Sequence, residues 1–115
     1  MKEISIVVPC YNEEDIVEIF YNKLVEVLES LKEYNYEIIF IDDGSKDNTI
    51  RLLKKIKLKN NKVKIISFSR NFGKESAMLA GLENSKGDYV VVMDSDLQHP
   101  PEKIIEMVNG VEERF

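Results

Sequence analysis

The chain has 115 residues, 43% hydrophobic and 32% charged, the make-up of one ordinary globular domain rather than a disordered segment. Its net charge of −5 leaves no basic footprint for nucleic acid, and an anionic ligand would need a local cation to be held. The single cysteine excludes a disulfide framework and suits a reducing cytoplasm, and no apolar run approaches the ~20 residues that span a bilayer.

Met1-Lys2-Glu3-Ile4 passes straight into a strand pattern and reads as no signal peptide. Ile4 to Val8 is a β-rich apolar run closed by Pro9, and Cys10 beside it reads as a small buried hydrophobe rather than a nucleophile. Helical spacing of Ile16, Phe20, Leu24, Leu28 and Leu31 predicts a helix from Glu14 to Lys32, with Asn12 as its candidate cap. A second strand spans Glu37 to Ile41 and ends in the turn Asp42-Asp43-Gly44-Ser45. Ile50, Leu53 and Ile56 mark a helix from Asn48 to Leu58, and a third strand runs from Val63 to Phe68. The lysine-rich stretch from Lys54 to Lys64 reads as a solvated helix face and loop. Gly73 to Asn84 forms the next helix, with Met78, Leu79 and Leu82 expected on its inner face. Tyr89 to Met93 is the fourth strand, and Pro100-Pro101 opens a last helix from Glu102 to Glu113.

Strand and helix therefore alternate throughout, which predicts a three-layer α/β/α, Rossmann-like domain over residues 1–115 with a mostly parallel sheet. Right-handed crossovers bring every strand's C-terminal end to one edge, where such sheets bind their ligands. The segments after the strands are the chemically distinctive ones: Pro9-Cys10-Tyr11-Asn12-Glu13, Asp42-Asp43-Gly44-Ser45, Ser69-Arg70-Asn71-Phe72-Gly73-Lys74, and Asp94-Ser95-Asp96-Leu97-Gln98. Each has a plain reading. Tyr11 would roof the core, Asp42 and Asp43 would shape a turn, Arg70 and Lys74 would be surface cations, and Asp94 and Asp96 would cap a helix. Convergence favours function, because together they offer an aromatic face, acceptor carboxylates, cations and hard oxygen ligands for Mg²⁺ or Mn²⁺. That set matches a nucleoside diphosphate. Neither Gly-x-Gly-x-x-Gly nor a P-loop is present, and the acidic turn lacks EF-hand spacing. A receiver domain or a haloacid-dehalogenase-like phosphatase would carry its acids after the first strand, where this chain has Pro9-Cys10-Tyr11.

Ile6 to Glu14, Ile41 to Thr49 and Met93 to Glu102 resemble the motifs of family 2 glycosyltransferases of the GT-A fold. The stretch from Ser69 to Glu75, continued by Ala80-Gly81-Leu82, resembles the branch that glycosylates dolichyl and other polyprenyl phosphates. The resemblance covers Ile4 to about Glu102 and implies metal-dependent sugar transfer from a UDP- or GDP-linked donor to a polyprenyl phosphate. It implies that Pro9, Tyr11 and Glu13 surround the base and ribose, that Asp42 or Asp43 accepts a hydrogen bond from the base, and that Arg70 and Lys74 lie near the diphosphate. It makes Asp94 and Asp96 the catalytic pair, and Asp94, Asp96 and Gln98 the ligands of Mg²⁺ or Mn²⁺, with His99 a loop residue. Inversion at the anomeric carbon is likewise implied.

Members of that family run well beyond the Asp-x-Asp segment, so this chain is expected to supply the donor-binding half of a transferase at the cytoplasmic face of a membrane, with little or no turnover alone. An exposed sheet edge and a homodimer are expected with it. A binding module without activity, or a metal-dependent phosphatase or nucleotidyltransferase, are the alternatives.

Overall fold

Strand β1 (Lys2–Cys10) forms the centre of the sheet because Ile4, Ile6, Val7 and Val8 are fully buried, apolar on both faces as a parallel strand must be. The computed structural model describes residues 1–96 and 100–113. In chain order β1 is followed by α1 (Val17–Ser30), β2 (Tyr34–Asp42), α2 (Thr49–Lys59), β3 (Val63–Ser67), α3 (Lys74–Glu83), β4 (Tyr89–Val92) and α4 (Lys103–Glu113). The described strands form one parallel sheet in the order β3-β2-β1-β4. The expected three layers are present. Helices α1, α2 and α4 cover the face that carries Ile4, Ile6, Val8, Ile38 and Phe40, and α3 covers the opposite face at Val7, Ile39 and Ile41.

The structure departs from the sequence expectations at two helices. Helix α1 begins at Val17, and Ile16 in the capping position makes no side-chain cap bond. Asn12 sits earlier, at φ 52°, a left-handed conformation that asparagine tolerates, and its amide and side chain bond to the next loop instead. Helix α3 buries Ala77 and Gly81, whereas Leu79 and Leu82 are 57% and 44% exposed. A Cβ on Gly81 would stand 2.3 Å from Val7 Cγ1 and 2.8 Å from Ile41 Cδ1, so the small residues let this helix lie directly on the sheet. Hydrophobic size, which points to Met78, Leu79 and Leu82, misleads here because contact distance is decided by the smallest side chains.

Strand β4 bonds to β1 on one side, and on its other side no described strand pairs with it. Val90, Val92 and Met107 are exposed there, beside an apolar hollow of about 470 Å³ lined also by Tyr89 and Val108. Among the described residues no helix is long and apolar enough to cross a membrane.

A buried polar cluster locks the far end of the sheet. Glu37 on β2 is 2% exposed, accepts from the Ser5 hydroxyl and the Lys86 amide, and pairs with Lys64 at 2.7 Å. Ser5 in turn accepts from the Gly87 amide, so the α3–β4 turn is tied to β1 and β2 at the place where β4 begins. Burial pulls the Glu37 carboxyl up, but Lys64, Ser5 and Lys86 together outweigh that and hold its pKa below the ordinary carboxylate value. Such a group stabilises the fold above its unfolded-state pKa near 4.5 and loses that contribution as pH falls through its lower native value. Glu37→Ala strands two donors in the interior and should cost about 2–4 kcal/mol in urea unfolding at pH 7. The same variant should show less acid sensitivity below pH ~4.5 than the parent chain, and an equal loss in both would remove Glu37 from the acid response.

Candidate functional site

β1 leads rightward to β2 and β3 through α1 and α2, and the chain then crosses back under α3 to place β4 on the other side of β1. The strand order therefore reverses between β1 and β4, the place at which such sheets bind ligands beyond the carboxyl ends of their strands. Val7 is the last β1 residue to share bonding with β4, its carbonyl accepting the Met93 amide. Cys10 O accepts the Asp43 amide on the β2 side, so alternate residues of β1 face alternate neighbours. Pro9 thus faces the β4 side with no amide to satisfy, which is where a central strand can hold a proline.

The crevice is a cavity of about 340 Å³ lined by Pro9, Cys10, Tyr11, Glu13, Asp43, Lys74, Asp94, Ser95 and Asp96, within the size range of small-molecule sites. Most residues singled out by sequence thus meet at one place. Tyr11 is 42% exposed and lines the cavity. Lys74 opens α3 and reaches Asp94 Oδ1 at 2.7 Å. Asp42 and Arg70 do not line the cavity. Asp42 lies with the even-numbered residues of β2 on the α1 and α2 side and accepts the Ser45 amide, while Arg70 is exposed with its guanidinium 4.7 Å from the centre of the Phe72 ring. Gln98 and His99 lie outside the described residues. The site also contains two residues not assigned to it from sequence, Cys10 and Ser95. Only the position of Ser95 between two candidate ligands could have signalled it.

Hydrogen bonds between loops hold these groups in place. Asn12 N donates to Ser45 Oγ, Glu13 N to Thr49 Oγ1 and Glu14 N to Asp47, while Lys46 N donates back to Asn12 Oδ1 and Asn48 N to Glu14. The loops after β1 and β2 are stitched into one platform by groups that a lone helix would have used for capping. Burial raises the Asp47 carboxyl, but bonds from Thr49 and Glu14 lower it further, so its pKa falls below the usual value.

Asp43 performs the equivalent task for the loop before α3. Its buried carboxylate accepts from Phe72 N at 2.8 Å, Gly73 N at 3.1 Å and Asn71 Nδ2 at 3.2 Å. These donors take most of the roughly four acceptor positions of a carboxylate, so any base contact comes in addition to a structural duty. Gly44, at φ 72°, lets the two loops touch: a Cβ there would lie 2.2 Å from the Arg70 carbonyl carbon.

The electrostatics of the cavity favour a cation. Desolvation first, and then the charges of Asp96, Asp47 and Asp94, push the Glu13 pKa above its normal value. Among the described residues no three His, Cys, Asp or Glu side chains close around one point as a ready metal cage. Asp94 and Asp96 instead offer two hard carboxylates beside open space, a donor set that fits Mg²⁺ or Mn²⁺ sharing its remaining positions with water and phosphate oxygens. Burial pushes the Cys10 thiol up to about 12, against a smaller opposing effect of a bond with Ser95, so the cavity wall offers no thiolate.

Asp43→Asn would turn an amide group toward amide donors and should destabilise the chain by about 1–3 kcal/mol. Hydrogen exchange at Phe72 and Gly73 should quicken, and unchanged protection there would count against the clamp. Cys10 should resist iodoacetamide at pH 8 in the native chain and react once the chain is unfolded.

Residues 5–115 match the family model for glycosyl transferase family 2. The chain is 49% identical over 111 residues to the uncharacterized glycosyltransferase YkcC of Bacillus subtilis, covering 96% of this chain and 34% of that protein. It is 47% identical over 106 residues to the bactoprenol glucosyl transferase of Shigella phage SfX, covering 92% of this chain and 34% of that protein. The chain thus spans about a third of the length of the curated relatives it matches. Its fold superposes on S. aureus TarS 1-349 with a TM-score of 0.71 at 26% identity, over 98% of this chain and 33% of TarS 1-349. The same protein in complex with UDP-GlcNAc matches at a TM-score of 0.63 and 26% identity, over 98% of this chain and 32% of that one. With the α/β fold, the post-strand motifs and these matches in agreement, the chain belongs to glycosyl transferase family 2.

Proposed function

We propose that the crevice between β1 and β4 binds the nucleoside diphosphate of an activated sugar, and that this chain supplies the donor side of sugar transfer to a polyprenyl phosphate. The observation that carries the reading is the meeting of Tyr11, Lys74, Asp94 and Asp96 in one cavity, which brings an aromatic side chain and both signs of charge together. The named bactoprenol glucosyl transferase among the relatives supports a polyprenyl acceptor, and the UDP-GlcNAc complex of TarS supports a nucleotide-linked donor.

In this reading Tyr11 and Pro9 flank the base and Glu13 faces the ribose. Asp43 keeps the 69–73 loop in place so that Lys74 reaches the diphosphate. Asp94 and Asp96 would hold the divalent ion, with Gln98 as the third ligand that the family resemblance implies. Bound there, that ion would act as a Lewis acid that screens the charge growing on the leaving diphosphate. A phosphomonoester acceptor is largely ionised near pH 7, because its second pKa is about 6, so its oxygen attacks without a strong general base. This agrees with a cavity whose thiol is held protonated and whose carboxylates serve to bind. By the same argument the site lacks the thiolate nucleophile of a Cys-dependent phosphatase. The acceptor lipid, a cytoplasmic membrane-face location and turnover belong to the longer protein that the relatives represent.

Thermal unfolding with UDP-glucose, GDP-mannose, UDP and GDP, each with and without Mn²⁺, tests the reading. A ligand at 100 times its dissociation constant adds about 2.7 kcal/mol, a rise of roughly 10 °C for a domain of this size. A Mn²⁺-dependent rise with one base and not the other is expected, and Asp96→Ala should abolish the metal-dependent part while leaving the ligand-free melting point within about 2 °C. No rise with any of the nucleotides would refute donor binding by this chain.

A further inference from the structure

Lys74 occupies the carboxylate that the metal would need. Its ammonium lies 2.7 Å from Asp94 Oδ1, with the two side chains 60% and 30% exposed. The position is built rather than incidental. Lys74 is the first residue of α3, directly after Gly73, whose amide is bound by the Asp43 carboxylate. The start of the helix is therefore pinned to the end of β2, and the lysine side chain spans the crevice to the loop after β4. Its flexible stem and its exposure allow the ammonium to change partners within the same cavity.

Resting on the donor-binding reading above, we propose that Lys74 is a tethered cation that makes metal binding and nucleotide binding depend on each other. Without nucleotide, Lys74 neutralises Asp94 and repels a divalent ion from the Asp94–Asp96 pair. When a nucleoside diphosphate enters, its phosphate oxygens attract the ammonium away from Asp94. The carboxylate is released to the metal at the moment when phosphate oxygens complete the metal's ligand set. Lys74 thus contributes on both sides, disfavouring the metal alone and favouring diphosphate in the loaded site. By linkage, each ligand must raise the affinity of the other by the same factor.

Several alternatives on the molecule are weaker. The lysine-rich surface of α2 around the 88% exposed Leu58 has nothing at it that identifies a partner, and the hollow beside β4 lacks any sign of what covers it. The Lys74–Asp94 pair is instead a specific contact between two named atoms inside the candidate site.

The test is Mn²⁺ titration of the 115-residue chain, followed by electron paramagnetic resonance of the free ion, with and without saturating UDP or GDP. Lys74→Met should bind Mn²⁺ about fivefold more tightly than the parent when no nucleotide is present, the upper end for an ion pair that faces solvent. With saturating nucleotide the two should bind Mn²⁺ about equally, because Lys74 has already left Asp94, so that the factor by which nucleotide improves Mn²⁺ affinity falls by about fivefold. Lys74→Arg, which keeps the charge, should retain most of that factor, and Lys74→Met should melt within about 2 °C of the parent because the side chain is exposed. Equal or weaker Mn²⁺ binding by nucleotide-free Lys74→Met overturns the proposal, even where the parent shows nucleotide-dependent Mn²⁺ binding and the donor reading stands. Absence of Mn²⁺ binding by the parent in the presence of either nucleotide, or binding that survives Asp96→Ala, overturns both.

Discussion

Beyond Val7, whose carbonyl accepts the Met93 amide, β1 pairs with no described strand on its β4 side, and Pro9 carries no amide that would seek one. Two strands that run in register from Ile4 and Tyr89 to Val7 and Val92 part at that level. The strand order reverses at this place: from β1 the chain goes on to β2, whereas β4 is reached by a crossover from β3 at the far side of the sheet. The cavity is therefore a property of topology, and the residues at its rim decide only what it can hold.

Those residues are held by polar bonds between loops rather than by apolar packing. Ser45, Asp47 and Thr49 receive or return bonds from Asn12, Glu13 and Glu14, and Asp43 receives the amides of Phe72 and Gly73. Loops at the surface cannot bury enough apolar area to be ordered by the hydrophobic effect, so short polar side chains that bond backbone amides take over that task. The result is an arrangement in which the loops after β1, β2 and β3 are bonded to one another around the opening. A binding site made in this way need not spend much of its interaction energy on ordering itself when a ligand arrives.

Charge distribution explains how an acidic domain can accept an anionic ligand. The net charge is −5, and burial first, then the charges of Asp96, Asp47 and Asp94, push Glu13 above its usual pKa. Lys74 relieves part of that repulsion in the structure as it stands, and a divalent ion would relieve it further. The cations that would meet a diphosphate are thus recruited by the carboxylates, and the surplus of acid over base is what makes the crevice attractive to them.

Much of this was legible in the amino-acid sequence because the signals are local. Short apolar runs, helical spacing such as Phe20, Leu24 and Leu28, and polar motifs after each strand determine the α/β alternation, the parallel sheet and the edge at which the site must lie. Other features depend on distance between segments far apart in the chain, and only the folded molecule decided them. The strand order put Asp43 at the cavity and Asp42 behind it, since successive side chains of a strand face opposite sides. Close approach of α3 to the sheet selected Ala77 and Gly81 over larger neighbours, and the loop after β2 captured Asn12 before it could cap α1. The Lys74–Asp94 pair joins the start of α3 to the end of β4. Sequence determined that both residues follow strands and so share one edge; their 2.7 Å contact exists because the crossover under the sheet brings those two ends together.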